Sequence, residues 1–566
     1  MKKILLSILL FNGLAYAQTL GPNVTGNTEN VFQYLNNDSI IGAIQPESKT
    51  TFNSYTYVNY NLKGFRAGAR FESYMPSILG YPARYSGSGI GYKYAGFSNK
   101  MIDVTVGNFY EQFGSGMTLR SYEARQLGVD NALDGLNIRF RPHPGVEIKA
   151  VYGKMRYELK EGKLINADGF VRGIDGQINL NQIIKPLSDS NFVTKIVNTI
   201  ISPLTSNQLN LTIGGSFVSK NQKAFHPLYN MPNNVGTYGG RIKIGYKNFY
   251  LEGEHVIKEQ DPSLNNNYIY NYGFGSLITA GYSQKGLGII LQAKSIDNMS
   301  YRVDPDATLT DLNINYLPAS TKAHSYNLAS TLYPYGTNLN GEVSFSADVM
   351  YKIPKKTKLG GKYGTSININ YVIILAPNRD YSNADTVSRV LYTTTPFAYS
   401  DSLFLKDFNV EIKRKFSKKF KMTLKYFNFR FNNDVNQVTK LHDKQTYIDS
   451  HIGVIDFTYK FNRKHSLRTE IQGLFTKRDR GNWATLLLEY NISPKWFFSV
   501  IDQYNYGNEI EASRLHYLTG SAGFLFGSSR FIVSYGRQRA GIFCVGGVCR
   551  NVPATNGLTL TFVSSF

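Results

Sequence analysis

Segments of about eleven residues, in which apolar and polar side chains alternate, recur along nearly the whole chain, and a fold must satisfy them all. Residues 64–74 set Phe65, Ala67, Ala69 and Phe71 against Arg66, Arg70 and Glu72. Residues 419–430 set Phe420, Met422, Leu424 and Tyr426 against Lys421, Thr423 and Lys425. In 447–461, Ile455, Phe457, Tyr459 and Phe461 stand opposite Asp456, Thr458 and Lys460. Strands of soluble sandwiches run to about 5–6 residues. A strand that crosses a bilayer needs about 9–11, with lipid-facing and lumen-facing side chains alternating. Beyond residue 17 the longest apolar run, near 372–376, is too short for a membrane helix. The expected fold is all-β: a large transmembrane antiparallel β-barrel of about 24 strands, roughly 20 to 26, with short periplasmic turns and long extracellular loops.

The ends of the chain carry export signals. Lys2 and Lys3 precede the apolar run Ile4–Phe11 and the small-residue site Ala15-Tyr16-Ala17. Residues 1–17 therefore read as a secretory signal peptide, and no cysteine follows to take a lipid anchor. The net charge of +22 invites a nucleic-acid partner. Export removes that reading and leaves lipopolysaccharide phosphate, or the lumen, as the counterpart. At the other end Leu558, Leu560, Phe562, Ser564 and Phe566 share one face. This resembles the assembly signal of bacterial outer-membrane barrels. The expected location is the outer membrane, and the expected partners are its lipid, lipopolysaccharide and the barrel assembly machinery that reads the strand ending in Phe566. Trp483 and Trp496 each open a strand and are expected in aromatic girdles at opposite faces.

Loop lengths set the topology. Counting back from a periplasmic Phe566, short turns fall at 526–529, 491–494, 462–465, 416–418, 283–286, 246–248, 141–145 and 96–100, with longer loops at 297–339, 377–403, 431–446 and 539–555. The pattern runs back to a strand at 51–61 and leaves one crossing missing. Segment 18–50 is expected to supply it, best at Val31 to Ile44, or else to thread the lumen; residues 51–566 form the barrel. Segment 182–206 is too long for its place on the short-turn side. Phe192, Ile196, Val197, Ile200 and Ile201 there have helical spacing, which suits a plug at the periplasmic mouth, a docking site for a protein partner, or a helix packed on the rim.

Enzymatic motifs are absent: the chain has no G-x-S-x-G, P-loop or H-E-x-x-H pattern, and its eight histidines lie singly. Asp304, Asp306 and Asp311 lack the remaining ligands of a calcium loop. No enzyme activity, cofactor or metal is expected. Cys544 and Cys549, the two cysteines, sit in the last outer loop of an exported chain and are expected as a disulfide. Inward-facing basic positions outnumber acidic ones, which favours anionic solutes modestly if the lumen holds water. The densest polar segment follows Gly107 and carries Arg120, Glu123, Arg125, Asp130 and Asp134. Together with Arg66 and Arg70, these are the candidate lumen or constriction residues. As a constriction the loop folds inward; as a rim it is held by its own ion pairs.

The run GNFYEQFGSGMTLRSYEARQLGVDNALDG at 107–135, IDNMSYR at 296–302 and GGKYGT at 360–365 resemble a family of exported outer-membrane barrels of Bacteroidota without an assigned activity. The resemblance implies a barrel and carries over no catalytic residue. Strands beginning by residue 51 leave little room for an N-terminal plug domain of the TonB-dependent kind, which disfavours energised uptake by this chain alone. Two expectations follow: a porin-like passive channel for small polar or anionic solutes, or a closed structural or accessory barrel of an outer-membrane secretion, assembly or uptake complex.

Overall fold

The computed structural model describes residues 23–566 apart from 187, 189–191, 207, 223–224, 436–445 and 546–547. The expected signal peptide, and most of loop 431–446, lie outside the described residues. The alternating segments form one antiparallel sheet of 24 strands, each paired with the next in the chain. Val24–Leu35 pairs with Thr50–Leu62 on one side and with Thr555–Ser565 on the other, so the sheet closes on itself. At this seam the backbone N–H and C=O of Phe566 exchange hydrogen bonds with Gly26 at 2.9 and 2.8 Å. The Phe566 ring lies where a side chain on residue 26 would project, which only glycine permits.

The first strand lies earlier than the expected crossing at 31–44. Asn37 Oδ1 accepts the Gln45 N–H at 2.9 Å and Asp38 Oδ1 accepts that of Ile40 at 3.2 Å. These local bonds compete with the ladder and turn the chain into a loop after Leu35.

Tight turns close one end of the barrel. Lys63 and Gly64 both have positive φ, the two-residue turn that matches strand twist. At the opposite end one connection is equally short: Val146–Lys160 and Lys163–Asn179 meet at Glu161–Gly162, also both positive in φ. The tip of this hairpin closes a gap. Strand Ile102–Phe109 stops early and its chain turns into the lumen, leaving the upper part of Gly87–Ser98 paired with Phe65–Tyr74 alone. The hairpin leans across, with Ser86 N–H donating to Leu159 O at 2.7 Å and Gly162 N–H to Ser86 O at 3.1 Å.

On the outer face Val106, Ile174, Leu291, Leu486 and Phe531 are exposed, as a lipid-facing wall requires. Trp496 belongs there too, but Trp483 does not. It is an inward-facing, fully buried residue, stacked on Tyr517 and under Arg539, which corrects its expected place in a girdle. The helix expected in 182–206 runs Phe192–Thr205, with Ile196 and Ile200 exposed and Val197 and Ile201 partly covered. Near the opposite rim Gly541–Val545 and Val548–Val552 form a small hairpin that places Cys544 opposite Cys549, and Cys549 is disulfide-bonded.

Candidate functional site

Two long loops leave the wall and pack inside the barrel. The first, 110–132, begins where strand Ile102–Phe109 ends. It is folded into two miniature hairpins, Gln112–Phe113 with Leu119–Arg120 and Glu123–Ala124 with Val129–Asp130. Phe113, Met117 and Leu119 are completely buried. Wall residues grip the start of the loop: Glu111 accepts from Arg139 and Lys149 at 3.1 Å each and from Asn137 at 3.2 Å. Across the lumen Glu254 accepts the Ser115 N–H at 2.8 Å. Burial disfavours the Glu111 carboxylate, but Lys149, the Gln112 N–H and Arg139 together hold its pKa below the usual value.

The charged residues of this loop meet the wall in a buried network. Arg70 reaches Glu72 at 2.5 Å and Glu123 at 2.8 Å and also bonds Asp130. Arg156 binds both Glu72 oxygens and Asp130, each at 2.7 Å. Arg125 links Glu123 at 2.8 Å to Glu29 at 2.7 Å, and the Tyr110 O–H donates to Asp130 at 3.0 Å. Arg70, Arg156 and Glu72 have no solvent exposure. Burial opposes charge on Asp130, yet the Arg156 and Arg70 guanidiniums outweigh it and hold the carboxyl below its ordinary range.

The second loop, 298–340, is held through its backbone carbonyls at one end and through apolar side chains further along. Three fully buried lysines on alternate strands donate to its carbonyls: Lys220 to Arg302 O and Lys258 to Ser300 O at 2.7 Å, and Lys294 to Pro318 O at 2.5 Å. Their charges are met by Asp261, which pairs with Lys220 at 2.7 Å, and by Glu342, at 2.7 Å from Lys294. The Arg302 guanidinium turns back on its own loop, to Asp311 O at 2.7 Å and Thr308 O at 3.2 Å. Further along, Tyr326, Leu328 and Tyr333 enter an apolar cluster with Phe427, Phe429, Phe431, Ile448 and Ile452 from the wall. Each such ring or aliphatic chain contributes about 1.5–3 kcal/mol by leaving water. The two loops also bind each other: Arg120 N–H to Ile314 O and Tyr316 N–H to Gly116 O, both at 2.9 Å, and Asn131 Nδ2 to Asn313 O at 2.7 Å.

The inward wall changes character along its length. In Phe420–Asn432 the inward residues run Lys421, Thr423, Lys425 and then Phe427, Phe429, Phe431. The aromatic part meets the loops, whereas the charged part lines a space toward the tight-turn end. There Lys243 and Glu252 are 3.6 Å apart and both about half exposed, at 51% and 48%, and Lys413 pairs with Glu411 at 2.7 Å. Many expected lumen charges are paired in this way. Arg141 reaches Glu147 at 2.8 Å, Arg241 reaches Asp175 at 2.6 Å and Arg468 reaches Asp456 at 3.0 Å.

Of the sequence candidates, Arg70, Glu123, Arg125 and Asp130 converge. Arg66 instead pairs with Asp103, Nη1 to Oδ2 at 3.1 Å; Arg120 lies over the Tyr316 ring at 4.0 Å; Asp134 accepts from Asn166 at 2.9 Å. Among the residues that hold the loops, Arg156 and the lysines at 220, 258 and 294 were not singled out. Each of the three lysines is the single Lys or Arg of its strand, and that was the available signal; Arg156 stands among Lys149, Lys154 and Lys160 and carried none. Asp311 pairs with Arg84 at 2.5 Å, and among the described residues no metal-binding group of acids and histidines gathers.

A closed antiparallel wall, apolar outside and filled by its own loops inside, defines an outer-membrane-type β-barrel. The chain belongs to the DUF6029 family, a family of unknown function, whose pattern spans residues 1–566. No curated protein matches the sequence. Among solved structures it is similar to the siderophore receptor PirA from Pseudomonas aeruginosa, at 8% identity over 96% of this chain and 81% of that one, TM-score 0.40. It is also similar to the siderophore receptor PirA from Acinetobacter baumannii, at 11% identity over 96% and 81%, TM-score 0.41. The copper transporter OprC matches at 8% identity over 96% and 80%, TM-score 0.38.

Proposed function

We propose that this chain is a self-stoppered barrel of the bacterial outer membrane, closed at rest and serving as a structural or accessory component of an outer-membrane complex. The observation that carries the reading is the seating of loop 298–340 by Lys220, Lys258 and Lys294. Each fully buried ammonium donates a hydrogen bond to a loop carbonyl, so withdrawing the loop breaks three charge-assisted hydrogen bonds and leaves the lysines facing Asp261 and Glu342 alone. A porin-like passive channel needs a continuous polar path, and the aromatic inward surface at Phe427, Phe429 and Phe431 does not favour one. The charged space beside Lys243 and Glu252 favours a second reading, a conduit that opens only when the loops are displaced.

Purified protein in planar bilayers tests this. The intact chain is expected to show no steady conductance, and a variant lacking residues 303–335 to conduct. Ohmic, long-lived conductance of the intact chain overturns the proposal and restores the passive channel.

A further inference from the structure

At the rim bearing the long loops, a cavity of about 600 Å³ lies between three chain segments: the loop after the first strand, 476–482 and 505–515. Its volume is within the range of small-molecule sites, about 300–1,000 Å³. Its walls are fixed by hydrogen bonds between loops. Asn505 Nδ2 donates to Arg480 O and Gly507 N–H to Asn482 O, both at 3.0 Å, while Arg514 Nε holds Asn508 O at 2.9 Å.

Two features of the lining stand out chemically. Lys477, Arg478 and Arg480 project from one short loop, and none of the three makes an ion pair among the described residues. Asp479 beside them is occupied by the Tyr333 O–H at 3.3 Å, which leaves Glu509 as the other acid of the lining. Facing these cations, Ile40 and Ile510 remain 58% and 66% exposed. Guanidiniums with no ion pair among the described residues suit carboxylate, sulfate or phosphate, and uncovered isoleucines suit an apolar body.

We propose that this cavity is a binding site for a small amphipathic anion, an apolar body bearing one carboxylate, sulfate or phosphate. The anionic group meets Arg478 and Arg480, and the apolar body lies between Ile40 and Ile510. The proposal does not depend on whether the barrel conducts, so its failure leaves the closed-barrel reading untouched.

The full chain in nanodiscs, titrated calorimetrically with naphthalene-2-sulfonate, tests it, with inorganic sulfate and 2-naphthol as charge-only and apolar-only comparisons. One saturable site is expected for the sulfonate, at least tenfold tighter than for either comparison. Arg478→Gln/Arg480→Gln and Ile40→Ser/Ile510→Ser should each weaken it at least tenfold, with the heat-sensitive gel mobility of the folded barrel unchanged. Absence of saturable binding overturns the proposal. So does equal binding by the arginine variant, which signals partition into lipid, or sulfate binding as tightly as the sulfonate.

Discussion

Asp130→Asn isolates the electrostatic part of loop docking without changing side-chain size. Asp130 receives hydrogen bonds from both Arg70 and Arg156 in a site where neither arginine touches water. Both guanidiniums already share Oδ2, which an asparagine can keep as its one oxygen, but the charge is lost and the new NH₂ group meets the Ala132 N–H that Oδ1 had accepted. Removing one partner from a buried ion pair costs about 3–5 kcal/mol. Glu72 still faces both arginines, at 2.5 Å from Arg70 and 2.7 Å from Arg156, so the lower end of that range applies. About 3 kcal/mol multiplies the undocked population of loop 110–132 by roughly a hundred. The loop should still be docked most of the time, because Phe113, Met117 and Leu119 stay buried and each contributes about 1.5–3 kcal/mol.

Limited trypsinolysis reads that population directly, since cleavage after Arg120 or Arg125 requires the loop to leave the lumen. Fragment appearance by mass spectrometry should accelerate roughly a hundredfold in Asp130→Asn. Asp134→Asn is the control: it alters one bond from Asn166 at 2.9 Å, about 1 kcal/mol, and should change the rate less than tenfold. Equal cleavage rates in Asp130→Asn and the parent chain, with both barrels folded by gel mobility, would refute the latch.

Two further outcomes follow from the same groups. Asp130 and Glu111 have pKa values depressed by docking, so their contribution is present through neutral pH and is lost only as pH falls below the ordinary carboxylate range. Exposure of loop 110–132, assayed by a brief acid pulse with an acid-active protease, should therefore rise below about pH 4, and release already complete at pH 6 would contradict the assignment. Lys294→Met strands the buried Glu342 carboxylate and should cost about 3–5 kcal/mol. Adding Glu342→Gln keeps an acceptor for the Tyr335 O–H and the Asn338 N–H, and should recover more than half of the loss in thermal gel-shift midpoint; no recovery would show that the charge was not the cause.

The wall was legible because a strand declares itself every second residue. The period marks Phe65–Tyr74, Phe420–Asn432 and His465–Phe475, and loop lengths order them without knowledge of any long-range contact. The first strand was displaced because its end is set by Asn37 and Asp38 bonding their own backbone neighbourhood, a local competition that periodicity does not report. Three of the candidate residues at the buried network, Glu123, Arg125 and Asp130, were found because they crowd one loop, and Arg70 because it faces inward on a wall strand. Their counterpart Arg156 lies 84 residues beyond Glu72, on a hairpin whose reach across the wall depends on strand Ile102–Phe109 ending early.

The filled interior was also written in the chain, in a form easily mistaken for the lipid signal. Alternation assigns one apolar face to lipid, so a strand apolar on both faces has a second apolar environment. In Tyr447–Lys460 the inward residues Ile448, Ile452 and Val454, with the small Ser450 among them, are buried while Ile455 on the other face is exposed; the inward side becomes charged only at Asp456. Phe427, Phe429 and Phe431 make the same switch on the adjoining strand. Water does not favour such a surface, and lipid does not reach it. Only protein can cover it, and only at the end of the barrel from which the long loops descend. Trp483 belongs to that surface, and its inward place follows from the same reasoning: an aromatic residue at a strand end marks a lipid girdle only when its face of the strand is the lipid face.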